Sequence, residues 1–276
     1  MNHYLSSNEL KRLAKGQLLG KYGITVGILA LHLLCTLPIQ FLFNPLARIS
    51  PFLYYMLSLV ISVFAGFFTA GEALVYLKVA CNQPPAVMDL FHFFTPPVFQ
   101  KAGKVSQIQL LLSVISLAAT LPYTYVGSLL LTSMISWNPN ASMLPFGAGT
   151  FLLYTILLVA GTAIEVFVQL LLSQIFYLMQ DFPEYTAAQL LKLAPKLMKG
   201  HKARLFYIQL SFLPLMLLSI CSCGLGFLWV YPYMQATYAN FYLDLMRNKH
   251  PRTHNGRFSR SCALKRAVVN PTALLY

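Results

Sequence analysis

Two carboxylates of this chain fall where water is scarce: Glu72 and Glu165 each lie inside a long run of apolar residues. A charged side chain is costly there, so each is a functional suspect. At helical spacing Gly161, Thr162, Gln169 and Ser173 share one side with Glu165, which gives a polar stripe along that run. Glu165 precedes Asp181, the polar residue closing the run, by about 24 Å at roughly 1.5 Å per residue. Glu72 shares a face with Ser58, Ser62, Ala65, Gly66, Thr69 and Ala73, nearer the cytoplasmic end of its run. Small residues let helices approach closely, so that face points into a bundle. Two chemistries fit Glu165. With Gln169 it forms a proton- or cation-responsive site in a permeation path. Alternatively it is protonated, hydrogen-bonded to a neighbour such as His32 or Gln109, and serves helix packing. No Lys or Arg lies deep in a run as counter-charge, which favours the neutral carboxyl.

A second cluster is cationic. Lys199, Gly200, His201, Lys202 and Arg204 stand where a short amphipathic segment meets the next apolar run. Gly200 permits a sharp change of direction. Four basic side chains at headgroup depth suit a phosphate, on a lipid headgroup or another anionic ligand. The plainer alternative is a basic anchor beside a glycine turn.

The elements that must position these residues are membrane-spanning helices. Only 10% of the 276 residues are charged while 57% are hydrophobic, too little charge to coat a soluble domain. Six runs approach or exceed the ~20 residues that cross a hydrocarbon core: Tyr22 to Phe43, Phe52 to Ala80, Lys104 to Ile135, Gly147 to Gln180, Leu205 to Cys223, and Leu225 to Leu245. None shows the alternation of barrel strands, so the fold class is all-α, a polytopic transmembrane helical bundle.

Of the 20 Lys and Arg, all but Arg48 fall in segments that this threading puts on one face, including the 101–104 connection and the stretch from Lys192 to Arg204. Cytoplasmic segments retain such residues, so both termini are expected to be cytoplasmic. The net charge of +13 thus reflects topology and not nucleic-acid binding, because the basic residues alternate with spans. Ser6 with Glu9 makes a capping box, and Leu10, Leu13, Ala14 and Leu18 share the face opposite Lys11, Arg12 and Lys15, which predicts a membrane-surface helix before the first span. Residues 247–276 read as a basic, disordered cytoplasmic tail. Membrane lipids with anionic headgroups are the expected partners, with a protein partner possible through the elbows or tail.

Residues 1–246 read as one membrane domain with three weakly repeated helical hairpins, 1–81, 82–180 and 181–246. Ile108, Gln109 and Leu110 match Ile208, Gln209 and Leu210, while Lys104 faces Arg204 and Leu90 faces Leu190. Each hairpin would be entered through an amphipathic cytoplasmic elbow: the N-terminal helix, Val87 to Phe99, and Tyr185 to Met198. Pro38, Pro122 and Pro214 interrupt the outward spans, each removing a backbone donor and bending its helix.

Catalysis finds no support. His-Glu-x-x-His, Gly-x-Ser-x-Gly, a Walker loop, Gly-x-Gly-x-x-Gly and an Asp-rich cluster are all missing from the sequence, and so is zinc spacing of Cys and His. No cofactor is implied. Cys221 and Cys223 are too near in sequence for a disulfide framework, and Asn140-Ala141-Ser142 is a short sequon of the kind that arises by chance.

A string of short matches in order marks the second half: Asp181-Phe182-Pro183, Leu197-Met198-Lys199-Gly200-His201-Lys202, Leu205-Phe206 and Leu210-Ser211-Phe212. It continues through Gly224-Leu225-Gly226, Leu228-Trp229, Pro232-Tyr233, Asn240-Phe241-Tyr242 and Leu245. On these residues the chain resembles an integral membrane family of bacteria catalogued as domain of unknown function 975. Leu213-Pro214-Leu215 and Pro195 depart from that pattern. The resemblance implies a bacterial cytoplasmic membrane protein and no activity. The expected role is a non-enzymatic scaffold or accessory factor that binds lipid or a partner at the cytoplasmic face. The alternative is a transporter or channel component using Glu165.

Overall fold

The computed structural model describes residues 4–135 and 147–249; the connection 136–146, with its Asn140 sequon, and the tail 250–276 fall outside the described residues. The described chain is an all-α bundle without strands. Its helices are α1 (Ser7–Leu18), α2 (Tyr22–Phe43), α3 (Leu46–Ile49), α4 (Pro51–Ala80), α5 (Pro96–Ile135), α6 (Ala148–Leu172), α7 (Ile175–Asp181), α8 (Ala187–Met198), α9 (Lys202–Leu210), α10 (Leu213–Cys221) and α11 (Phe227–Lys249).

Among the described residues five helical stretches are long and apolar enough to cross a membrane: Tyr22–Phe43, Phe52–Ala80, Ala102–Ile135, Gly149–Asp181 and Lys202–Cys221. The sixth expected run, α11, is long enough at 23 residues but less apolar. It carries Thr237, Asn240 and Asp244, all buried against the rest of the bundle. A helix wrapped by protein need not be greasy all round.

The two elbow helices form from local signals. Ser6 Oγ accepts from Glu9 N at 3.3 Å while Ser6 N donates to Glu9 Oε2 at 2.6 Å, closing the expected capping box. Thr186 and Gln189 do the same for α8. Leu10, Ala14 and Leu18 are buried on α1, and Leu190, Ala194 and Met198 on α8, at a constant offset of 180 positions. Each elbow ends on a glycine in the left-handed region, Gly20 at φ 75° and Gly200 at φ 84°, where a side chain would be strained. The elbow expected at Val87 to Phe99 is different. It forms two short 3-10 turns, Val87–Asp89 and His92–Phe94, and α5 has already begun at Pro96. Pro84, Pro85, Pro96 and Pro97 bracket this segment and leave no room for a longer helix.

Two expected continuous spans are broken. One turns at Ser173 and Gln174, between α6 and α7; the other turns at Ser211 and Phe212, ahead of Pro214. At the second break Lys11 Nζ donates to the Ser211 carbonyl at 3.1 Å and lies over the Phe212 ring at 4.2 Å. Burial holds the Lys11 ammonium below the usual lysine pKa.

The buried core concentrates at the end where α1, α8, the start of α9 and the end of α11 meet. Gln17 Nε2 reaches the Ala80 carbonyl at 2.9 Å, and Lys104 Nζ reaches the Pro183 carbonyl at 2.6 Å, so the basic segments gather at that end. Toward the opposite end, Phe41, Leu42, Phe52, Leu131, Ile135 and Leu152 lie exposed. Apolar surface on that scale suits lipid and not water.

Candidate functional site

The cationic corner folds mostly onto the protein itself. Arg204 lies between the rings of Tyr4 and Phe241, 5.4 and 5.0 Å from their centroids. Its Nη2 donates to Asp244 Oδ2 at 2.5 Å and to the Leu5 carbonyl. Leu5 N in turn donates to Asp244 Oδ2 at 3.3 Å. A guanidinium stacked between two rings and paired with a buried carboxylate is committed, so Arg204 is not the free headgroup cation that its position suggested. The His201 ring packs 4.4 Å from that of Tyr4, and Lys202 Nζ sits over Phe167 at 4.7 Å. Gly200 makes the expected turn, and Lys199 is exposed.

Glu72 is the most enclosed of the expected site residues, at 3% exposure. His32 Nδ1 lies 2.7 Å from Glu72 Oε1, and Tyr231 OH donates to Oε2 at 2.8 Å. His32 therefore serves Glu72 and not Glu165, against one of the two pairings expected from sequence. It is further held by stacking on Phe68, 5.5 Å between centroids.

Glu165 has a looser environment. Ser116 Oγ donates to its Oε1 at 3.2 Å, and the carboxyl lines a cleft of about 480 Å³ between α4, α5 and α6. Ser62, Gln109, Ser113, Ser116 and Gln169 supply the rest of its polar wall. Close approach of the helices comes from glycine: a Cβ on Gly161 would stand 2.6 Å from the Ala119 carbonyl oxygen, and one on Gly66 would stand 2.5 Å from Gln109 Cγ. Ser62 Oγ donates to Ser113 Oγ at 2.7 Å across α4 and α5.

A second cavity of about 330 Å³ adjoins the first, with Leu112 and Gln169 lining both. Glu72, Ser173, Gln174 and Tyr231 line it. Four of the five expected polar residues, Glu165, Gln169, Ser173 and Glu72, thus line these two adjoining cavities. Thr162 does not. It is exposed and returns its hydroxyl to the Leu158 carbonyl of its own helix at 2.7 Å.

Four contributors were missed: Ser113, Ser116, Gln174 and Tyr231. Gln109, Ser113, Ser116 and Thr120 recur at helical spacing, so a polar stripe on α5 facing that of α6 was there to be read. Gln174 carries no such signal, because its aim depends on the break beside it. Asp244 was likewise passed over, 40 residues from its partner Arg204.

Among the described residues no group of three or more His, Cys, Asp or Glu is placed to hold a metal ion. Cys35, Cys221 and Cys223 carry free thiols. No curated protein and no solved structure matches the chain. The model of one family, described as a protein of unknown function (DUF975), matches residues 1–249, and the chain belongs to that family.

Proposed function

We propose that this chain is a multi-pass protein of the cell membrane that passes a small protonatable or cationic solute along the hollow between α4, α5 and α6, with Glu165 as the carboxylate that meets it. The observation that carries this reading is the geometry at Glu165. One serine at 3.2 Å is its single described hydrogen-bond donor, on the wall of a cleft of about 480 Å³. An ionised carboxyl accepts up to about four hydrogen bonds, so capacity remains for a solute. A carboxyl built for packing would have its oxygens engaged, as those of Glu72 are.

The orientation in this proposal has both termini cytoplasmic, supported by the gathering of basic segments at one end of the bundle. Counting α11 as a sixth span returns the chain to that side. The matched elbows α1 and α8 support hairpin repetition for the first and third units.

The test is flux. Purified protein in liposomes should carry protons or a small cation down a gradient, and Glu165→Gln should reduce the rate to that of protein-free vesicles. Equal rates for wild type and variant would overturn the proposal.

A scaffold reading has one observation in its favour: Lys192 and Lys199 stand exposed beside α8, where anionic headgroups or an acidic partner could meet them. The pairing of Arg204 with Asp244 weakens it, since one cation of the corner is already engaged by the protein.

A further inference from the structure

The inner cavity is more specific in its chemistry than the outer cleft. Gln174 is fully buried, yet its Oε1 accepts no hydrogen bond from the described residues, while its Nε2 donates to Ser173 Oγ at 3.1 Å. A buried acceptor left alone costs roughly 1 to 3 kcal/mol, so a site that keeps one is built to receive a donor. Gln174 lines the cavity at the break between α6 and α7. Glu72 lines the same cavity, already held by His32 and Tyr231 but with lone pairs to spare. Phe176, Tyr177, Tyr231 and Tyr238 bring four aromatic side chains to the wall, and among the described residues no Lys or Arg lines it.

Acceptors, a carboxylate and ring faces without a competing cation are what an organic ammonium ion requires. Its N–H groups match Gln174 Oε1 and Glu72, and its carbon skeleton and charge suit the rings. A bare inorganic cation would use neither the rings nor the shape of the space, and an anion would meet Glu72. We infer that the inner cavity, bounded by Glu72, Gln174, Tyr177, Tyr231 and Tyr238, is a binding site for a small organic ammonium ion. About 330 Å³ accommodates a compact amine. This deepens the transport reading by naming the solute class, and it rests on that reading only for the solute's route.

Equilibrium binding tests it without any gradient. The full chain in lipid nanodiscs is titrated with benzylammonium, and in parallel with benzyl alcohol, its neutral counterpart. The expected result is saturable binding of the ammonium, with the alcohol about tenfold weaker or more, the difference of one charge-assisted hydrogen bond. Gln174→Leu, which keeps the volume and removes the acceptor, should weaken the ammonium about tenfold. Tyr238→Leu should weaken it several-fold through the lost ring face. Both variants are checked for an unchanged melting transition, so lost binding is not lost folding.

Equal affinity for the two probes, no saturable binding of either, displacement of benzylammonium by equimolar sodium, or indifference to both substitutions would each overturn the assignment. Binding with no flux in liposomes would remove the transport reading and leave the site. Flux with no binding would remove the site and leave the outer cleft.

Discussion

The molecule is tied at one end and hollow in the middle. At the tied end Arg204 Nη2 and Leu5 N both donate to Asp244, the rings of Tyr4 and Phe241 lie beside the guanidinium, and Gln17 exchanges two hydrogen bonds with Asn240 at 3.2 and 2.6 Å. In the middle Glu165 keeps one donor and an open cleft. From sequence both places were suspect, since each has charge beside apolar runs. Their difference lies in how far the protein itself engages the carboxylate. Asp244, which accepts from Leu5, Arg204 and Asn248, holds helices together, whereas Glu165, with one donor on a cavity wall, has something left to offer.

Breaking the tie should have the largest effect. Asp244→Ala leaves Arg204 enclosed without its carboxylate, and loss of one partner of a buried pair costs about 3 to 5 kcal/mol. The expected outcome is a lower thermal transition in detergent and a sharply reduced yield of folded protein. Restoring neutrality with Arg204→Met in the same chain should recover part of the loss. An unchanged transition for Asp244→Ala would show that the tied end is not tied.

Disturbing the helix packing beside the cleft comes next. Gly161→Val places a side chain against the Ala119 carbonyl and Tyr123. Forced separation of α5 and α6 should cost about 1 to 3 kcal/mol, read as a lower thermal transition together with lost flux. Glu165→Gln should change stability by less than about 1 kcal/mol, given the weak average worth of hydrogen bonds between membrane helices, while abolishing flux. That separation of stability from transport is what distinguishes the middle from the end. The smallest effect belongs to an exposed lysine. Lys192→Gln should lower retention of anionic phospholipid, measured by native mass spectrometry, about fivefold at about 1 kcal/mol per charge.

Much of the frame was legible because it rests on local signals. The capping box at Ser6 and Glu9 and the span from Tyr22 to Phe43 follow from neighbours a few residues apart, and both stand as expected. The five apolar helices follow from composition alone. What could not be read depends on distant pairing. Nothing in the sequence tells His32 to choose Glu72, because the two meet only when α2 and α4 pack. The break at Ser173 and Gln174 has no glycine or proline to announce it, and Gln174 lines the cavity there. The middle elbow failed for a reason that was visible, since prolines at 84, 85, 96 and 97 forbid the helix that its hydrophobic pattern invited.

The central claim is that polar solutes reach the cleft at Glu165, and cysteine accessibility tests it most directly. In a cysteine-free background, Ser116→Cys places a thiol on the cleft wall and Val159→Cys places one on the outer face of α6, where Val159 is 61% exposed. With the protein in intact lipid vesicles, a charged, water-soluble methanethiosulfonate should modify Cys at position 116 and leave position 159 untouched, because lipid covers the latter. Failure to modify position 116, with the protein shown to be folded, would contradict the account.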